Sequence, residues 1–93
     1  MIRRIRHKGL KRFYREGDTR GINARHAVKL RVLLTALDTA TDPDQMNMLP
    51  GARLHALRGD RAGQWAVWIS GNWRLVFEFE AQDATNIDLA DYH

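Results

Sequence analysis

Four places in this 93-residue sequence carry side chains that could move protons or hold phosphate. The first is Leu54-His55-Ala56-Leu57-Arg58-Gly59-Asp60-Arg61, where an imidazole precedes two guanidiniums. The second is Arg74, set inside the strictly alternating stretch Trp73–Glu80 on the face opposite Trp73, Leu75, Phe77 and Phe79. The third is Asp91-Tyr92-His93, a carboxylate, a phenol and an imidazole in succession, which are groups used in general acid–base catalysis. The fourth is an arginine-rich first helix containing Phe13 and Tyr14, aromatics expected to pack in a core rather than to stack on bases. Each has an ordinary alternative. A single histidine on a strand is usually a bystander, a mid-strand arginine can simply pair with Glu78 or Asp88, and chain ends fray. Together they suit one reaction. RNA cleavage by its own 2′-hydroxyl needs a base for that hydroxyl, cations for the phosphorane charge and an acid for the leaving oxygen. One sheet face bearing His55, Arg58, Arg74 and the Tyr92-His93 tail supplies all three without a metal. The histidines at 7, 26, 55 and 93 have no metal-ligand spacing, and no phosphate-binding glycine loop or serine nucleophile motif is present.

Positioning these groups falls to a short series of elements. Ile2–Arg6 reads as an extended segment whose Ile2 and Ile5 do not alternate cleanly. Gly9–Glu16 reads as a helix ended by Gly17-Asp18. Asn23 is the expected N-cap of a second helix, Ala24 to about Ala40, with Ala27, Leu30, Leu33, Leu34 and Leu37 on its core stripe. Asp42-Pro43 should cap and open a short helical turn through Met46, closed by Pro50-Gly51. The hydrophobic period then changes from 3.6 to 2. Ala52–Leu57 is a candidate strand. Gln64–Ser70 places Trp65, Val67 and Ile69 opposite Ala66, Trp68 and Ser70. Gly71-Asn72 is a two-residue hairpin turn. Trp73–Glu80 follows, and Thr85–Leu89 closes the sheet with Ile87 and Leu89 buried. Two helices followed by a run of strands predict one α+β domain over 1–93, with both helices on one face of a small, mostly antiparallel sheet.

Charge is divided along the chain. Residues 1–31 hold eleven Lys and Arg against Glu16 and Asp18, a balance of +9, whereas residues 32–93 balance at −5. Twelve of the fifteen basic residues are arginine, whose guanidinium fork matches phosphate oxygens. Such a patch attracts polyanions, although it could also be a solvated face. With no cysteine, the chain has neither disulfides nor thiolate metal sites. No apolar run approaches the ~20 residues of a membrane span, and no signal-peptide stretch follows the basic start, so a cytoplasmic protein is expected.

His7-Lys8-Gly9-Leu10, Leu54 to Trp65, Asn72-Trp73-Arg74-Leu75-Val76-Phe77 and Asp91-Tyr92-His93 together resemble the HigB toxins of the RelE/ParE superfamily, over essentially the whole chain. The resemblance implies a RelE-like fold and a type II toxin that cleaves mRNA in the A site of the 70S ribosome. It also implies 2′,3′-cyclic phosphate and 5′-hydroxyl products, no cofactor, and a HigA-type helix-turn-helix antitoxin that links the toxin to DNA. The family's site residues fall on His55, Arg58, Arg74, Asp91, Tyr92 and His93. Arg58 and Arg74 would hold the phosphate, while His55 or His93 would be the base and Tyr92 or the other histidine the acid. Asp91 would orient an imidazole. Arg3, Arg4, Arg6, Lys8, Lys11, Arg12 and Arg15 would contact ribosomal RNA. Two departures stand out. Arg58 replaces a lysine found in several members, and the stretch Trp68-Ile69-Ser70-Gly71 lacks a basic residue often found before the hairpin. Two other readings share this fold: a ParE-like gyrase inhibitor, and a weak toxin acting mainly as antitoxin partner and operon co-regulator.

Overall fold

The computed structural model describes residues 1–92. Helix α1 spans Lys8–Glu16 and helix α2 spans Ala27–Thr39. Strands β1 (His55–Ala56), β2 (Trp65–Ser70), β3 (Trp73–Glu80) and β4 (Asp83–Asp91) form one antiparallel sheet in the order β1-β2-β3-β4. The expected α+β architecture is therefore present. No helix among the described residues is long and apolar enough to cross a membrane.

Local chemistry explains the helix ends. His7 caps α1, its Nδ1 accepting from the Leu10 N–H at 3.0 Å. Gly17 takes φ 73° and its N–H donates to the Phe13 carbonyl, closing the helix in the left-handed conformation that glycine adopts without penalty. Asn23 caps a single 3-10 turn, Ala24–His26, rather than α2 itself, so the α-helix begins three residues later than its cap signal suggested. Asp42 caps the 3-10 stretch Pro43–Met48 and accepts from the Gln45 N–H at 3.2 Å. That stretch brings Met46 fully into the core.

The core lies between the helices and one sheet face. Leu30, Leu33, Leu34 and Leu37 of α2 and Leu10 and Phe13 of α1 meet Val67, Ile69, Leu75, Phe77 and Ile87. Phe13 packs there as expected, but Tyr14 does not and stays exposed. Successive helical residues point about 100° apart, so one stripe does not bury both.

Two irregularities decide which side chains share a face. In β4, the register passes from Val76↔Asp88 to Glu78↔Thr85, so Asn86 and Ile87 together stand opposite Phe77, and Asn86 has φ 50°. This bulge puts Ala84, Ile87 and Leu89 all on the core side. It also makes Ala84 and Ile87 three residues apart, which matches the spacing of Ile2 and Ile5. The N-terminal segment accordingly runs parallel to β4 through the bridges Ile2↔Ala84 and Ile5↔Ile87. The imperfect alternation of that segment is the complement of the bulge.

The second irregularity is in β2, where pairing shifts between Trp68 and Ser70 and sets Ser70 opposite Trp73. Ser70 therefore joins the helix side instead of the Ala66–Trp68 face expected from simple alternation. There its Oγ shares a 2.8 Å hydrogen bond with Nε2 of the buried His26, whose ring meets Trp73 edge-on at 5.9 Å.

Candidate functional site

The sheet face turned away from the helices carries the chemistry-bearing residues of the C-terminal half. Strand register settles its layout. His55, Ala66, Val76 and Asp88 form one row across the four strands, and Trp68, Arg74 and Ala90 form the next. Tyr92 follows Ala90 on the same alternation, its N–H donating to the Asn72 carbonyl at 2.8 Å. The Arg74 guanidinium carbon lies 5.8 Å from the centre of the Tyr92 ring. Arg74 and Tyr92 are thus adjacent, while His55 stands on the first strand. With strands ~4.8 Å apart and ~3.3 Å per residue, the backbones of His55 and Arg74 are separated by roughly 12 Å and those of His55 and Tyr92 by roughly 20 Å. Between their rows lie Ala66 and Val76, both buried.

Among the described residues no carboxylate forms an ion pair with Arg74. Its guanidinium donates to the carbonyls of Gly71 (3.0 Å) and Trp73 (3.1 Å), so the hairpin turn fixes it. The two acids that might have paired with it are engaged elsewhere. Glu78 accepts from the Gln64 amide at 3.1 Å, and Asp88 accepts from the Leu89 N–H at 2.9 Å. Arg74 therefore keeps its charge for a ligand, held on an inner strand rather than on a loop.

The strand candidate Ala52–Leu57 shrinks to His55–Ala56, because Arg53 takes φ 51° and breaks the extended run. His55 is exposed and pairs in register with Ala66. Arg58 is exposed at the start of the 3-10 turn Gly59–Arg61. Asp91 stands opposite Trp73, on the alternate side of β4 from Tyr92. His93 lies outside the described residues. Among the described residues no group of three His, Cys, Asp or Glu could hold a metal.

The basic N-terminal residues form a separate region. Arg3, Arg4, Arg6, Lys8, Lys11 and Arg15 line a cleft of about 530 Å³ between the N-terminal segment and α1, together with Tyr14. Arg12 borders a second hollow with Lys8, Lys11, Arg15 and Glu16. Partial desolvation, with the Asp38 carboxylate as a smaller cause, raises the Tyr14 phenol pKa. Arg3 is partly committed, since it pairs with Glu80 and Asp83 at 3.4 Å each. Arg20 of the following loop is committed too. It grips Asp18 through two nitrogens, and those hydrogen bonds hold the Asp18 carboxyl down at about 2.

Sequence reasoning passed over Trp68, Lys29 and Arg53. Lys29 Nζ lies 4.9 Å and Arg53 Cζ 4.6 Å from the centre of the Trp68 ring. Residue type gave no signal for this cluster, because α2, the 49–54 segment and β2 meet only in the folded chain. The one available hint was that Lys29 falls outside the core stripe of its helix.

Comparison with known proteins agrees with this architecture. A family profile described as "RelE-like toxin of type II toxin-antitoxin system HigB" matches residues 3–93. The chain is 39% identical over 93 residues to the Endoribonuclease HigB of Proteus vulgaris, covering 100% of each. It also superposes on a YoeB/ParE toxin from Agrobacterium tumefaciens with a TM-score of 0.56 at 16% identity, over 100% of this chain and 99% of that one, a likeness of fold alone. With its profile matched from Arg3 to the last residue, the chain belongs to the HigB-like family of RelE-type toxins of type II toxin–antitoxin systems.

Proposed function

We propose that this toxin is an endoribonuclease that cuts mRNA in the ribosomal A site by attack of the RNA's own 2′-hydroxyl on the adjacent phosphate. The observation that carries the reading is the cross-strand register. It sets His55 and the adjacent Arg74–Tyr92 pair on the same, helix-free face. The endoribonuclease class itself is that of the full-length relative at 39% identity.

In this scheme Arg74 and Arg58 hold the scissile phosphate and stabilise charge as it develops on the equatorial oxygens. Either histidine, His55 or His93, takes the 2′-hydroxyl proton. Tyr92 or the other histidine protonates the leaving 5′-oxygen, giving a 2′,3′-cyclic phosphate and a 5′-hydroxyl. Arg58 acts only as a fixed cation, because arginine does not release its proton in this pH range. The arginines and lysines around α1 hold ribosomal RNA and contribute affinity rather than sequence choice.

The family brings an antitoxin partner. A HigA-type helix-turn-helix protein fits this role and would connect the toxin to operator DNA, and both would act in the cytoplasm. Primer extension on a defined mRNA, with and without programmed ribosomes, tests the central reading. Cleavage inside the A-site codon only when ribosomes are present is the expected result. An uncut message under both conditions removes the nuclease reading and directs attention to gyrase supercoiling.

A further inference from the structure

We propose that Trp68, Lys29 and Arg53 form a second phosphate-binding subsite, which grips the mRNA backbone at a phosphodiester flanking the scissile one. The proposal rests on the nuclease reading above and extends it to residues outside the reacting group. Three strands of evidence converge. First, both cations approach one indole, Lys29 Nζ at 4.9 Å and Arg53 Cζ at 4.6 Å from its centre, a geometry in which the ring's negative face attracts them. Second, the indole is anchored to the candidate site. Trp68 is the cross-strand partner of Arg74, and the Trp68 Nε1–H and the Arg74 guanidinium both donate to the Gly71 carbonyl at 3.0 Å. Third, the ion pairs of the described residues, at Asp18, Glu80 and Asp83, involve none of Lys29, Arg53 and Arg74.

Two cations over one ring, with Arg74 on the neighbouring strand, repel one another, and the indole offsets only part of that cost. A phosphate oxygen placed between them relieves it. A phosphodiester chain that leaves Arg74 along its row toward β2 reaches the indole that Lys29 and Arg53 approach. Trp68 is then a positioning residue that holds two cations whose side chains would otherwise wander. The subsite also supplies positive charge beside Ser70, where the local sequence has none. Backbone strain fits the same picture. Arg53 adopts φ 51°, a conformation uncommon for a residue with a side chain, and it leaves the strand line at that point.

The test is single-turnover cleavage of a defined mRNA on programmed ribosomes, over a range of toxin and salt concentrations. Lys29→Gln and Arg53→Gln should each raise the half-saturating toxin concentration by about three- to ten-fold, and each should lower the salt dependence by about 0.7 in log–log slope, as for one lost single-strand phosphate contact. The maximal rate should stay within about two-fold of the parent chain. Trp68→Leu should reproduce the weaker binding of the cation variants, whereas Trp68→Phe, which keeps an aromatic face, should restore most of it. Circular dichroism confirms that each variant is folded. Unchanged half-saturation and salt slope in folded Lys29→Gln and Arg53→Gln overturn the subsite while leaving the nuclease reading in place. A fall in maximal rate alone overturns it too, because it would assign these residues to the chemical step. A parent chain that makes no cut overturns both readings together.

Discussion

The cleft beside α1 and the helix-free face of the sheet are both cationic, yet they are built differently. Around α1 the charge is dense and repetitive, carried by side chains on a helix surface and a bridged terminal segment. On the sheet face the cations are few, and Arg74 is held by the Gly71 and Trp73 carbonyls beside the Tyr92 phenol. The first arrangement suits a polyanion of any sequence, since each contact is replaceable and none requires a unique geometry. The second suits a reaction, since a charge that must meet a transition state has to be held before the substrate arrives.

Substitutions can break or sharpen this contrast. The largest effect belongs to removal of Tyr92 and His93, which should lower the cleavage rate by roughly 10²–10⁴-fold, the usual contribution of a positioned proton donor. Retained cleavage in a folded, truncated chain would take the C-terminus out of the mechanism. Arg74→Ala should cost roughly 10²–10³-fold in rate, comparable to losing one preorganised donor to the developing anion. Its effect should appear in the maximal rate and leave the thermal midpoint little changed, because the Gly71 carbonyl it releases lies in an exposed turn and still accepts from Trp68 Nε1. An equal rate would show that this cation is dispensable.

Gly9→Ala should act on the other region and on stability. A Cβ on Gly9 would run into the backbone of Gly21, so the start of α1 would have to move away from the 18–22 loop. A loss of about 1–3 kcal/mol is expected, measured by urea unfolding, with cleavage preserved at low temperature. An unaltered midpoint would mean that the loop yields freely. The smallest effect is expected from Lys11→Gln or Arg15→Gln. Each should weaken ribosome engagement by only about two- to five-fold with an unchanged maximal rate, since neighbouring cations remain. A rate defect in either variant would blur the division between the two regions.

Much of the scaffold was legible from residue order. The α2 stripe, the Asp42-Pro43 turn, the Gly71-Asn72 hairpin and the alternation of Trp73–Glu80 all follow local rules, and each is found where those rules put it. So was the grouping of His55, Arg74 and Tyr92 on one face, because period-two alternation assigns faces whenever the strand register is regular. What escaped was every feature that depends on a register shift or on elements far apart in the chain. Ser70 changed sides because β2 is irregular beside it. Ile2 and Ile5 looked poorly patterned until the bulge at Asn86 set their partners three residues apart.

By itself, then, the sequence determined the class of fold, the segregation of basic from acidic charge, and the residue types available for proton transfer and phosphate binding. These follow from composition and short-range period, which act within a few residues of each other. Tertiary structure alone decided that Arg74 would be held by the hairpin turn rather than by Glu78 or Asp88, and that Lys29 and Arg53 would meet over Trp68. Those outcomes depend on how strands slip past one another and on where α2 crosses the sheet. Packing of the whole core fixes these, and no local pattern encodes them.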